Sequence, residues 1–118
     1  MTTLSIIIPV YNSQDSLVEL VKKTQGNLNL EHEIIFVNDE SKDKSWSVIK
    51  SLSTDYDNVL GINLLKNVGQ DNAIMAGLSF AKGEFIIIMD DDLQHDPSYI
   101  NDLYEKCIEG YDVVYGNF

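Results

Sequence analysis

The segment "GEFIIIMDDDLQHDP", residues 83–97, sets three consecutive carboxylates directly after an apolar run. Asp90, Asp91 and Asp92 follow Phe85-Ile86-Ile87-Ile88-Met89, and Asp96 comes shortly after. In an extended segment alternate side chains share a face, so Asp90 and Asp92 converge while Asp91 turns away. Converging carboxylates repel and destabilise a fold unless a positive charge neutralises them. A hard divalent cation does so. Mg²⁺ takes one or two carboxylates and keeps positions for water and phosphate oxygens, and Mn²⁺ also suits oxygen ligands. Gln94 adds a carbonyl oxygen for the ion or for a bound water, with His95 beside it. The plainer alternative is a solvated turn, with Asp96-Pro97 opening a helix.

Other polar residues stand at comparable places. Asp39 follows the apolar run "EIIFV" and could accept hydrogen bonds from a base N–H or from ribose. Equally, "NDESKD" could be an Asx-turn, with Ser41 or Asp43 capping the next helix. Tyr11 offers a face for a base to stack on, or simple packing. Lys66 and Asn67 precede Gly69 at the opening of a helix, where a lysine can meet a phosphate or merely face water.

The elements that must position these residues alternate along the chain. Leu4–Val10 is a short isoleucine-rich run, the pattern of a strand buried on both faces. Residues 13–26 place Leu17, Val18 and Val21 at helical spacing, with Gly26 as a stop. Strands are predicted over 33–37, 59–65, 84–89 and 111–115. Helices are predicted over 43–52, with Trp46, Ile49 and Leu52 on one face and Val48 beside them, over 70–81 and over 97–108. Short connections and strict alternation predict an α/β fold with a mainly parallel sheet and helices on both faces. Ligands of such sheets bind beyond the carboxyl ends of the strands. Pro9 to Asn12, Asn38 to Ser41, Lys66 to Gly69 and Asp90 to Gln94 all fall there.

The chain of 118 residues is expected to form one domain, residues 1–118. Its net charge of −11 argues against nucleic acid as a partner, because phosphate contacts need Lys and Arg. A nucleotide could bind through a bridging cation or backbone N–H groups. The single cysteine, Cys107, excludes an intramolecular disulfide and fits a reducing, cytoplasmic compartment. No apolar run approaches a membrane span, and "MTTLSIIIPVYN" lacks the basic flank and cleavage site of a signal peptide. No G-x-G-x-x-G follows the first strand, which argues against a dinucleotide enzyme. A phosphoacceptor receiver domain expects an aspartate closing the third strand, where Lys66-Asn67 stands.

"IIIPVYNSQDSL", "EIIFVNDESKDKSW", "LLKNVGQDNAIMAGLSFAKGEFIIIMDDDLQHDP" and "YDVVYGN" together resemble the family 2 glycosyltransferases, in order and at the family's intervals. The Asp-x-Asp-Leu-Gln wording is similar to the branch acting on dolichyl or undecaprenyl phosphate. The resemblance implies the Rossmann-like nucleotide-binding half of a GT-A fold and inverting transfer from a nucleoside-diphosphate sugar, UDP favoured and GDP possible. The implied acceptor is a polyprenyl phosphate or a glycan. By position, Pro9, Tyr11 and Asn12 would line the nucleotide pocket and Asp39 would bind the base. Lys66, where the family often has arginine, would border the nucleotide with Asn67 and Gly69. Asp90 and Asp92 would form the Asp-x-Asp motif with Mn²⁺ or Mg²⁺, Gln94 would reach the same ion, and Asp91 would touch the donor. Ser13 stands where the family often has glutamate, a contact that Asp15 could supply.

The family's acceptor-binding half and its general base would lie beyond Phe118, so the catalytic residues are unknown here. This chain alone is expected to be a donor-binding part with little transfer activity, or a nucleotide-sugar-binding module. An exposed sheet edge would invite a homodimer. The longer parent is expected at the cytoplasmic face of a membrane.

Overall fold

A computed structural model of the chain describes residues 2–28, 30–89, 99–108 and 113–116. Nine elements alternate: β1 (Leu4–Val10), α1 (Leu17–Asn27), β2 (His32–Asp39), α2 (Ser45–Asp55), β3 (Val59–Leu64), α3 (Gln70–Leu78), β4 (Phe85–Met89), α4 (Tyr99–Ile108) and β5 (Val113–Gly116). The strands form one sheet in the order β3-β2-β1-β4-β5, every pairing parallel. The α/β architecture expected from the alternation is therefore present.

The register explains the unbroken apolar runs. Ile7 lies between Ile35 and Ile88, and the side chains on either side of it along β1 point to the opposite face. One face collects Leu4, Ile6, Ile8, Ile34, Phe36 and Ile87 against Leu17, Leu20 and Val21 of α1, Ile49 and Leu52 of α2, and Ile100 of α4. The other collects Ile7, Ile35, Val37 and Ile88 against Ala73 and Ile74 of α3. Burial on both faces is what β-branched side chains in a parallel sheet provide. Among the described residues, α3 alone covers the second face, and it sits close to the sheet. A Cβ on Gly77 would come within 2.7 Å of Ile7 Cγ2 and 3.1 Å of Val37 Cγ2.

Element ends differ from the sequence expectation for identifiable reasons. The first helix begins at Leu17 rather than at residue 13: residues 13–16 form a turn closed by the Ser16 N–H on the Ser13 carbonyl, with the N–H groups of Ser13 and Gln14 engaged by side chains of the next loop. Gly26 lies inside that helix. The stop comes where Leu28 turns extended and buries its side chain. Val18, placed on the apolar stripe, is 43% exposed, while Leu20 fills the core instead. The third helix ends at Leu78, before residue 81, its last turn tightened by N–H bonds from Phe80 to Gly77 and from Ala81 to Leu78. Strand β2 runs on to Asp39, so that residue belongs to the sheet rather than following it.

Candidate functional site

The loops after β1 and β2 are stitched together side chain to backbone. Asn12 donates its N–H to Ser41 Oγ at 3.0 Å, and its Oδ1 accepts the Lys42 N–H at 2.7 Å. Ser13 N–H donates to Ser45 Oγ at 2.9 Å and Gln14 N–H to Asp43 Oδ2 at 3.1 Å. Gln14 Oε1 takes the Lys44 N–H at 2.7 Å, and Asp43 Oδ1 takes that of Ser45 at 2.9 Å. Asp43 thus caps the start of α2, as one sequence alternative had it. Burial pushes the Asp43 carboxyl up, but bonds from the Ser45 hydroxyl and N–H and the Gln14 N–H outweigh it. The carboxyl settles below its ordinary value.

Asp39 closes β2 and is only 5% exposed. Its Oδ1 accepts the Val68 N–H at 2.8 Å and its Oδ2 the Gly69 N–H at 3.1 Å. Gly69 adopts φ +89, a conformation that favours glycine, and that turn presents its N–H to Asp39 before α3 begins. Asn67 is tied to the same strand end, its Nδ2 donating to the Asp39 carbonyl at 3.3 Å and its N–H to Glu40 Oε2 at 3.0 Å. Glu40 Oε1 accepts from Lys42 Nζ at 3.0 Å. Lys42, through that bond and its charge, and then the Asn67 N–H, hold the Glu40 carboxyl below its ordinary value; Glu40 in turn raises Lys42. Asn12 and Glu40 both have φ +53, uncommon for residues bearing a Cβ.

Asn12, Asp39, Asn67 and Gly69 are thus brought into one hydrogen-bonded edge. Pro9 pairs with Val37 inside the sheet and is half-buried beneath it. Tyr11 is 51% exposed, and Lys66 is exposed. Strand β4 ends at Met89, on the carboxyl side of the same sheet. Asp90, Asp91, Asp92 and Gln94 lie outside the described residues. Among the described residues no group of three His, Cys, Asp or Glu side chains is placed to hold a metal ion. Sequence reasoning placed Glu40 at this strand end without a role, and missed Lys42 and Ser45 as parts of the edge. The unbroken polar run "NDESKDKS" was the available signal.

A concavity of about 540 Å³ lies at the opposite edge of the sheet, lined by residues including Glu31, Glu33, Asp57 and Lys82. Its Glu33 carboxylate is already taken by Ser5 Oγ and the Lys82 N–H, each at 2.6 Å, as expected of a structural turn.

A parallel sheet with its polar loops gathered at the carboxyl edge defines a Rossmann-like α/β domain. Residues 5–118 match the Glycosyl transferase family 2, and the chain belongs to that family. It is 43% identical over 114 residues to the undecaprenyl-phosphate 4-deoxy-4-formamido-L-arabinose transferase of Klebsiella pneumoniae (strain 342), covering 93% of this chain and 35% of that protein. The chain therefore spans about a third of the length of such relatives. Among solved structures it is similar to S. aureus TarS 1-349 in complex with UDP-GlcNAc, with a TM-score of 0.73 and 24% identity, covering 92% of this chain and 32% of that one. It is also similar to the mannosyltransferase PcManGT from Pyrobaculum calidifontis in complex with GDP-Man and Mn²⁺, with a TM-score of 0.68 and 20% identity over 75% of this chain and 27% of that one. At these identities the likeness establishes the GT-A type of fold. Among the described residues no helix is long and apolar enough to cross a membrane.

Proposed function

We propose that this chain is the donor-binding part of a glycosyltransferase that moves a sugar from a nucleoside-diphosphate sugar, UDP favoured over GDP, to a polyprenyl phosphate or a glycan. The observation that carries the reading is Asp39, an almost buried carboxylate fixed at the end of β2 by two backbone N–H groups. Ionised carboxylates have about four acceptor sites, so Asp39 keeps capacity for a base N–H at a position already set. Tyr11 stacks on the base, Pro9 and Asn12 line the pocket, and Lys66, Asn67 and Gly69 border the nucleotide.

Asp90, Asp92 and Gln94 hold Mn²⁺ or Mg²⁺, and Asp91 meets the donor. The family and the acidic run directly after β4 support this, as does the Mn²⁺ named with PcManGT. When bound, such an ion neutralises the charge that develops on a departing nucleoside diphosphate. Displacement at the anomeric carbon inverts it, and an acceptor that is already a phosphate needs little help from a base. The relatives' share of length favours a second reading for this piece alone: it binds nucleotide sugar without efficient transfer. The parent would act at the cytoplasmic face of a membrane.

Calorimetric titration of UDP and of GDP, each with Mn²⁺, with Mg²⁺ and with chelator, tests the reading. Binding of one nucleotide that requires the metal is expected, and Asp92→Asn should remove the metal-dependent part while leaving the fold intact. Binding by a folded wild-type chain that is indifferent to chelator would remove the ion from the site.

A further inference from the structure

Three consecutive backbone N–H groups, of Asn67, Val68 and Gly69, are received by two adjacent carboxylates. Asp39 takes two of them, and Glu40 takes the one nearest Lys66. Glu40 does so from a backbone at φ +53, which a residue with a Cβ adopts at a cost. Its other oxygen binds Lys42 Nζ at 3.0 Å, and the Lys42 N–H binds Asn12 Oδ1 at 2.7 Å. Glu40 therefore stands where the loops after β1, β2 and β3 meet. Those loops carry Asn12 and the Lys66-Asn67 pair, beside Asp39 at the end of β2. A solvent-facing acid with no task would be better replaced here by glycine, which meets a positive φ without penalty.

We propose that Glu40 is a positioning residue of the donor site. Bridging Lys42 Nζ and the Asn67 N–H, it holds the loop bearing Lys66 and Asn67 at a fixed distance from the Asp39 carboxylate. The inference rests on reading this edge as a nucleotide-sugar site. Glu40 itself touches no ligand. Without its carboxylate, Val68 and Gly69 remain tied to Asp39 and Asn67 keeps its side-chain bond to the Asp39 carbonyl, but the Asn67 N–H and the lysine before it lose their backbone restraint. The pocket then orders on binding instead of beforehand, which lowers affinity.

The test compares Glu40→Gly and Glu40→Gln in the whole chain by urea unfolding, amide hydrogen exchange and calorimetry with UDP and GDP in the presence of Mn²⁺. Glu40→Gly should leave the unfolding midpoint about level, because relief of the positive φ offsets the exposed bonds to Lys42 and Asn67 that are lost. Its Asn67 amide should exchange about tenfold faster, with Val68 and Gly69 unchanged, and nucleotide should bind about fivefold more weakly. Glu40→Gln retains an acceptor for the Asn67 N–H and should recover most of that affinity. Affinity that falls while stability holds is the signature of positioning. A midpoint that falls together with affinity assigns Glu40 to the fold alone and overturns the proposal. Wild-type binding with unchanged affinity in Glu40→Gly overturns it while sparing the site. A folded wild-type chain that binds neither nucleotide defeats the site reading, and the role of Glu40 with it.

Discussion

Asp39 is the residue on which the edge depends, and its neighbours dictate what a substitution there does. Asparagine in its place would turn an amide N–H₂ toward one of two backbone donors, Val68 or Gly69, and leave that donor unpaired. Asp39→Asn should cost about 1–3 kcal/mol of unfolding free energy, read from urea titration. Asp39→Ala should weaken nucleoside-diphosphate binding more than binding of bare pyrophosphate; equal losses for both would contradict a base-binding role. Glu40 and Asp43 carry depressed pKa values, so their bonds contribute fully above their ordinary values of 4.5 and 3.8. That contribution disappears as pH falls through the lower folded values. Acid titration of the unfolding midpoint should therefore show stability declining from about pH 4.5 downward, and Glu40→Gln should flatten the upper part of that decline. The residue types of this site were legible: Tyr11, Asn12, Asp39, Asn67 and Gly69 stood out as polar or special residues at strand ends. The clamp was not legible, because Asp39 meets Gly69 only once β2 and β3 lie in the register that sets Asp39 beside Leu64.

At the scale of elements, the sequence carried the order of five strands and four helices because each buried strand is a compact apolar run and the first two helices show an apolar stripe at helical spacing. Their boundaries were less accessible. Ser13 and Gln14 look like the opening of a helix, yet their N–H groups go to Ser45 and Asp43 in a loop far along the chain. Local propensity carries no trace of such partners. The second helix begins at Ser45, two residues later than its spacing suggested, because Asp43 bonds forward onto it from outside. Close approaches were likewise hidden. Gly83 reads as an ordinary turn, but a Cβ there would lie 2.5 Å from the Ser5 backbone nitrogen and 2.6 Å from its Oγ. Backbone cannot yield as a flexible side chain does, so Gly83→Ala should lower stability by about 1–3 kcal/mol, measured by thermal or urea unfolding. It should also break the 2.7 Å bond from the Gly83 N–H to Ser5 Oγ that seats β4 beside β1.

At the scale of the whole molecule, a sheet with β3 at one edge leaves backbone groups and the partly exposed Leu60 facing outward. We propose that this edge pairs two copies, and sedimentation over a range of concentrations should show a dimer that Leu60→Lys abolishes. An unchanged monomer throughout would dismiss it. The strand order has a further consequence, for synthesis rather than for binding. β1 leaves the ribosome before the other four strands yet lies in the middle of the sheet, with Leu4 beside both His32 and Phe85. The β1–β2–β3 half can assemble as soon as it emerges. The other flank of β1 stays unpaired until residue 85 is translated, and closing that long loop is the slow step such topology imposes. A nascent chain paused before β4 thus offers a bare, isoleucine-rich margin to whatever reaches it first, a chaperone or another nascent chain.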